Sequence, residues 1–418
     1  MDRLLSYKAI TYIPAGRGGM AVMAARLLAY IMLLALISPR AVADGPISFP
    51  RDRASSVAVI VRDLSTGRDV VSSNPHKAML PASTMKCVTS AAAIEAGLDT
   101  ARFETRVYIR GTIRDGVVAG DLVIVGSGDP TIESAQFRGA TSFISEILSA
   151  LKESGTTRFE GGIVVDTSTF PDNGPCDRWE LSDTRYEYGA GLYALNYRDN
   201  RVGDKAMDSP SEAFGEALEN RLASAGITFD WDDIDTTDSE SRLLLVHYSP
   251  RGREILDNLM ERSDNLFAEG MLRLLAPGQP RSVAIAREKR LLADRGITLD
   301  ITDIYDGSGL SRNNRVTAAF MADLLQQMAH REGKCGSYVS LFPIVGKEGT
   351  VKTLLKGTRL EGKLALKSGS MNGVHCYAGY KLDADGHPTH AVVILINDFF
   401  CKRSDVRNAI SGFLQRQF

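Results

Sequence analysis

Four residues near the start of the chain, Ser83-Thr84-Met85-Lys86, place a hydroxyl and an amine three positions apart. They follow Leu80-Pro81-Ala82, and Met85, Val88, Ala92 and Ile94 then mark a helix ending at Gly97. Residues three apart share a helix face, so the Ser83 hydroxyl and the Lys86 amine are expected to be neighbours. A serine hydroxyl is a poor nucleophile at neutral pH and needs a base beside it. A lysine taken out of water can be that base once its pKa falls. The helix start adds backbone N–H groups and a positive dipole end where an oxyanion would form. Two further strings have suitable side chains. Ser263-Asp264-Asn265 lies inside an apolar-periodic stretch, or in the turn before a helix, and Lys367-Ser368-Gly369 directly follows the strand-like Leu364–Leu366. Taken singly, each has a plain structural reading: a helix cap followed by a surface lysine, an N-cap, and a charged strand end with its turn. Other chemistries lack their residues, since no G-x-S-x-G, H-E-x-x-H or paired C-x-x-C string occurs. Gly126-Ser127-Gly128-Asp129-Pro130 lacks the Gly-Lys-Ser/Thr ending of a phosphate loop, and His387 and His390 flank a proline in a turn and read as surface residues.

The elements that must position these residues can be read coarsely. Val57–Asp63 and Asp69–Ser73 read as strands joined through Ser65-Thr66-Gly67, and Arg102–Val125 is β-rich with a turn at Asp115-Gly116. Phe143, Ile144, Ile147, Leu148 and Leu151 recur at helical spacing, and Ile163–Val165 reads as a buried strand. The polar stretch Tyr197–Pro210 reads as a connection, with helices expected over Glu212–Ala225, Arg253–Leu275 and Ala318–Ala329. Strands return at Leu364–Leu366, Tyr377–Leu382 and His390–Ile396, and a last amphipathic helix covers Asp405–Gln417, more suited to packing on a sheet than to a membrane surface. Strands at both ends, with helices and a β-rich block between them, predict an α+β domain interrupted by an insertion.

The chain has 418 residues, enough for two or three domains, and a formal net charge of -2. That balance gives no global field pointing to nucleic acid or to an anionic membrane. Arg26, the apolar run Leu27–Ile37 and the small-x-small string Ala41-Val42-Ala43 have the layout of a secretory signal peptide, predicted over residues 1–43. The apolar run is too short to span a bilayer. Met20 or Met23 is a plausible true start, with a mature chain from about Asp44. Export implies an oxidising compartment. The five cysteines (Cys87, Cys176, Cys335, Cys376 and Cys401) leave at least one thiol without an intramolecular partner. Cys87, although next to Lys86, is read as a small buried hydrophobe.

Taken in order, the three strings match the S-x-x-K, S-D-N and K-T-G set of penicillin-binding proteins and class A β-lactamases. The chain resembles the class C low-molecular-mass penicillin-binding proteins, the D-alanyl-D-alanine carboxypeptidase/endopeptidase family, over nearly all of its mature length. The resemblance extends through Gly120-Asp121-Leu122, Gly126–Thr131, Asp306-Gly307-Ser308-Gly309-Leu310-Ser311-Arg312 and Lys367–Ser370. The first two catalytic strings lie 180 residues apart, room for an inserted domain. The resemblance implies a penicillin-binding/β-lactamase-like transpeptidase domain, an antiparallel sheet flanked by helices. It is expected over 44–97 and 243–418, interrupted by a smaller α+β domain over 98–242.

The same resemblance implies residue roles. Ser83 is acylated by the penultimate D-Ala carbonyl, Lys86 takes its proton, Ser263 relays protons and Asn265 holds the substrate amide. Lys367 completes a cationic wall, Ser368 binds the terminal carboxylate beside Gly369, and the N–H groups of Ser83 and Ser370 form the oxyanion hole. Asp183, after Trp179, matches an acidic position that binds the free amine of the stem peptide. No metal or cofactor is implied. The expected partners are peptidoglycan stem peptides and β-lactams as covalent inhibitors, with no nucleic acid and at most peripheral membrane association, in a periplasmic setting. Two departures are visible. Ser368 stands where the family more often has Thr, and Arg198–Ser209 directly bridges the place where members carry a further small β domain. The alternatives are a β-lactamase, or a peptidoglycan-binding protein without catalysis, for which a nucleophile–base pair would be superfluous.

Overall fold

The computed structural model describes residues 46–418 except 51–54, 138, 140, 237–238, 300–301 and 331–337. The expected signal peptide and Cys335 lie outside the described residues. In chain order, β1 (Ser56–Asp63) and β2 (Asp69–Ser73) precede a 3₁₀ turn at Ala82–Thr84 that continues into α1 (Met85–Glu95). Then come β3 (Glu104–Arg114), β4 (Val117–Val125), α2 (Phe143–Glu153), β5 (Arg158–Phe159) and β6 (Ile163–Asp166). A small hairpin of β7 (Arg201–Val202) and β8 (Lys205–Ala206) leads to α3 (Pro210–Ala223), β9 (Thr228–Phe229) and β10 (Ser241–Tyr248). The helices α4 (Gly252–Arg262), α5 (Asn265–Leu274), α6 (Arg281–Ala293) and α7 (Ala318–Ala329) follow. The chain closes with β11 (Leu364–Met371), β12 (Val374–Leu382), β13 (Pro388–Asn397) and α8 (Arg403–Gln417).

One antiparallel sheet has the order β11-β12-β13-β1-β2, so both ends of the chain build it. Its central strands are apolar at nearly every position because both faces are covered. Ala58 and Ile60 of β1, with Val393 and Leu395 of β13, enter a core with α1, α4, α5 and α7. Val57, Val59 and Val61, with Val392, Ile394 and Ile396, face the opposite core, which contains Val406, Ile410, Phe413 and Leu414 of α8. Burying each such aliphatic side chain contributes about 1.5–3 kcal/mol. The apolar stripe of α8 is therefore consumed by the sheet. Among the described residues, no helix is long and apolar enough to cross a membrane.

A second sheet, β10-β3-β4-β5-β9 with β6 on β4, packs against α2 and α3. Its hairpin turns at Asp115 and Gly116, both at positive φ, as the Asp-Gly dipeptide predicts. Its strands run from Glu104 to Tyr248, so the expected return near Leu243 falls within β10. The helix expected over Arg253–Leu275 is instead two. Ser263 adopts a left-handed conformation (φ 64°, ψ 36°), and Asp264 caps α5 by accepting from the Phe267 N–H at 3.1 Å. Strand β10 and helix α6 are further elements that the sequence reading did not mark. Cys87, Cys176 and Cys376 are buried free thiols. Burial pushes the Cys87 thiol up to about 12, in keeping with a packing role.

Candidate active site

Ser83 sits in the Ala82–Thr84 turn at the head of α1, and Lys86 one turn later points its amine back at the hydroxyl, Nζ to Oγ 3.1 Å. Lys86 is wholly buried. Its Nζ also donates to Asn265 Oδ1 at 2.6 Å and to the Ser308 carbonyl at 2.8 Å. Burial lowers its pKa to about 8 against the opposing pull of Asp264, Asp306 and Glu269. A neutral amine has two N–H donors and one lone pair. With Asn265 and Ser308 taking the donors, the lone pair is left for the Ser83 hydroxyl.

The break between α4 and α5 brings the second string to this point. Asn265, the first residue of α5, meets Lys86 through Oδ1, and its Nδ2 donates to the Tyr188 carbonyl at 2.7 Å. Ser263, turned by its left-handed backbone, accepts from Lys367 Nζ at 2.8 Å. Lys367 is also fully buried; its pKa lies well below the usual lysine value, through burial first and repulsion from Lys86 second.

The third string is the free edge of the first sheet. Leu364 and Leu366 of β11 use their outward groups to bond Val345 and Pro343, while β11 pairs with β12 on its other side without a register shift. The two-residue alternation of strand backbone then directs the Ser368 carbonyl and the Ser370 N–H to the same outer edge. Lys367 Nζ meets that Ser368 carbonyl at 2.8 Å. Ser368 Oγ shares a 2.7 Å hydrogen bond with Thr350 Oγ1, and Ser370 is exposed. Gly369 lies so close to the turn that a Cβ there would be 2.7 Å from the Pro81 carbonyl and 3.0 Å from Ser83 N.

Asp183 is one step removed. Its Oδ1 accepts from the Tyr188 hydroxyl at 3.1 Å, and the same Tyr188 bonds Asn265 through its carbonyl. The β7–β8 hairpin supports this wall: Glu187 N donates to the Asp204 carbonyl at 3.1 Å, Arg201 pairs with Glu187, and Lys205 Nζ lies 4.1 Å over the Tyr186 ring. The structure thus brings Ser83, Lys86, Ser263, Asn265 and Lys367 into one hydrogen-bonded constellation, with β11 along its edge. Ser308, Tyr188, Thr350 and Glu269 were given no role from sequence. For Ser308 the signal was present in the glycine-rich turn Asp306–Gly309, whereas the other three are joined to the site only by folding.

A cleft of about 290 Å³ lined by Tyr188, Ser263, Asp264 and Asn265 opens onto the constellation. A larger cleft of about 800 Å³ lies between Glu133, His247 and Asp257. Gln136 borders both, and the hydrogen-bonded constellation lies at the smaller one, which Ser263 and Asn265 line. Among the described residues, Asp383, Asp385 and His387 are the group with metal-ligand spacing; they are exposed, in the turn between β12 and β13.

The sequence model of the D-Ala-D-Ala carboxypeptidase 3 (S13) family matches residues 46–206 and 204–417. The D-alanyl-D-alanine carboxypeptidase DacB of Haemophilus influenzae is 25% identical over 421 residues, covering 82% of this chain and 86% of that one. A D-alanyl-D-alanine carboxypeptidase of Actinomadura sp. is 25% identical over 438 residues, with 84% and 79% covered. In fold, the chain is similar to penicillin binding protein 4 of Haemophilus influenzae, with a TM-score of 0.76, 22% identity and 88% and 97% of the two chains covered.

Proposed function

The chain belongs to the D-Ala-D-Ala carboxypeptidase 3 (S13) family, and from that premise we propose that it is a serine D-Ala-D-Ala carboxypeptidase of peptidoglycan, working through an acyl-enzyme on Ser83. The observation that carries the reading is the wholly buried Lys86 amine 3.1 Å from Ser83 Oγ, with its two donors already engaged by Asn265 and Ser308. The Ser83 hydroxyl gives its proton to Lys86 Nζ as Oγ adds to the penultimate D-Ala carbonyl. The resulting oxyanion sits between the N–H groups of Ser83 and Ser370, at the helix start and the free strand edge. The C–N bond then breaks. The departing D-Ala amine takes up a proton by way of Lys86 and Ser263, and water, giving up a proton in turn, releases the acyl group from Ser83. Ser368 Oγ binds the terminal carboxylate of the substrate. That anion favours the charged form of Lys367, which burial otherwise disfavours. Gly369 leaves room for the strand edge to lie against the nucleophile.

A β-lactam offers the same carbonyl in a ring, so its leaving amine stays tethered after acylation. The family membership favours a peptidase that holds penicillin over a lactamase that releases it. The leader-like residues Arg26, Leu27–Ile37 and Ala41-Val42-Ala43 support export to the periplasm, where stem peptides are found. Asp183 beside Tyr188 is the group we assign to the stem-peptide amine, since a partly buried carboxylate next to the cleft suits a cation. The test is direct. Labelled penicillin forms a long-lived adduct on Ser83, and purified enzyme releases D-Ala from a muropeptide pentapeptide. Ser83→Ala loses both. An adduct that peptide mass spectrometry places on another residue, such as Cys87, overturns the assignment.

A further inference from the structure

Glu269 is a buried carboxylate that the reaction scheme above leaves unused. It lies one helical turn after Asn265 on α5, so the two side chains share a face. Asn265 holds Lys86 directly. Glu269 reaches the same amine by one intermediate: its Oε1 accepts from Gly307 N at 3.0 Å and Ser308 N at 2.9 Å, and the Ser308 carbonyl accepts from Lys86 Nζ at 2.8 Å. The turn is pinned from two further directions. Thr89 Oγ1, one turn beyond Lys86 on α1, donates to the Gly307 carbonyl at 2.9 Å. Gly307 itself is pressed against α5, where a Cβ would meet the Ala268 carbonyl at 2.8 Å.

A carboxylate suits this place because one oxygen must accept from two successive N–H groups, and charged acceptors hold such bonds most strongly. Among the described residues the remaining oxygen, Oε2, has no hydrogen-bond partner, and it lies 3.7 Å from Arg281 Nε. Glu269 is fully buried, and burial together with Asp306 pushes its pKa up to about 7, with Arg281 opposing. Glu269 in turn helps to raise the pKa of Glu288, the buried acid of α6, after burial, which is the main cause. Burying such a group is unfavourable, and removing it would free the turn whose carbonyl engages one of the two donors of the neutral base. That base would then no longer be fixed with its lone pair on Ser83.

We propose that Glu269 is a positioning residue for acylation, holding the Gly307–Ser308 turn so that the Ser308 carbonyl fixes Lys86 Nζ against Ser83 Oγ. The inference rests on the serine-peptidase reading, so the unaltered enzyme is the reference in every arm: its failure to label Ser83 would sink that reading, not the role of Glu269 within it. The experiment measures the rate of penicillin acylation per folded molecule, its pH profile and the melting temperature for Glu269→Ala, Glu269→Gln and Thr89→Val. Glu269→Ala is expected to acylate about 10–100-fold more slowly, the scale of a misplaced catalytic group. Glu269→Gln keeps an oxygen for the two N–H groups and recovers most of that loss. Because Glu269 raises the Lys86 pKa alongside Asp264 and Asp306, the glutamine variant moves the rising limb of the pH profile to lower pH. Thr89→Val, which frees the same turn from the other side, slows acylation less and leaves that limb in place. If Glu269→Ala does not fold, the glutamine and valine variants decide. A folded Glu269→Ala with the unaltered rate overturns the proposal. So does a glutamine variant with an unmoved pH limb, or a valine variant as fast as the unaltered enzyme.

Discussion

At the scale of single residues, the proposed chemistry depends on two lysines held out of water. Their environments differ. Lys86 is balanced between burial, which lowers its pKa to about 8, and three carboxylates that raise it. Lys367 has the burial and the repulsion of Lys86, and its closest partners are the neutral oxygens of Ser263 and Ser368. Under the proposed reaction this division suits Lys86 to the role of base and Lys367 to being charged by an arriving carboxylate. Since the base must be neutral, the acylation rate of the unaltered enzyme is expected to rise as pH climbs through about 8. Lys86→Ala should lower the rate of penicillin acylation roughly 10²–10⁴-fold. Ser368→Thr keeps its hydroxyl and should remain within a few-fold of the unaltered enzyme. Rates for both variants across pH 6–10, followed with a labelled penicillin, check this. Equal rates in the two would show that Lys86 is not the base.

At the scale of elements, three backbone devices assemble the site. The start of α1 presents Ser83, the left-handed Ser263 separates α4 from α5, and β11 carries Lys367 to Ser263. One close approach among them is at Gly369, beside Pro81 and Ser83. A methyl group there must push the strand away from the nucleophile. Gly369→Ala is therefore expected to cost about 1–3 kcal/mol of stability, as overpacking does, and to slow acylation about tenfold or more by displacing the oxyanion N–H groups. A thermal melt and a penicillin labelling rate on the same preparation are sufficient. Unchanged values in both would show that the strand yields without cost. The break at Ser263 has a physical reason that periodicity misses. Apolar residues keep helical spacing on both sides of it, so the pattern of Arg253–Leu275 looks continuous, while the Asp264 cap and one left-handed residue redirect the axis.

At the scale of the whole molecule, the short β7–β8 hairpin occupies the place where the family resemblance implies a further β domain. It buttresses the wall that carries Tyr186, Tyr188 and Asp183 through Arg201, Asp204 and Lys205. Cleaving a cross-link requires a second stem peptide to be held beyond the scissile bond, whereas trimming a terminal D-Ala needs only the surroundings of Ser83. Remote binding energy lowers the barrier at the reacting bond, so a smaller docking surface should penalise the longer substrate. Both activities are expected, with kcat/KM for a pentapeptide monomer exceeding that for a cross-linked dimer in the same preparation. A clear preference for the dimer would show that the hairpin suffices for cross-link recognition.

The sequence by itself determined the catalytic strings, the Ser83–Lys86 adjacency that follows from helical spacing, and the strand-like runs Val57–Asp63 and His390–Ile396 that form β1 and β13. It also carried the resemblance that predicts a sheet built from both chain ends. These are local properties, or properties of strings specific enough to be matched. Only the tertiary structure decided what engages the base. Asn265 and Ser308 lie 179 and 222 positions from Lys86, and Glu269 reaches it through the Gly307–Ser308 turn. Such partners are chosen by how α1, α5 and the 306–309 turn pack, and no periodicity in the chain encodes a contact between segments that meet only when the core closes.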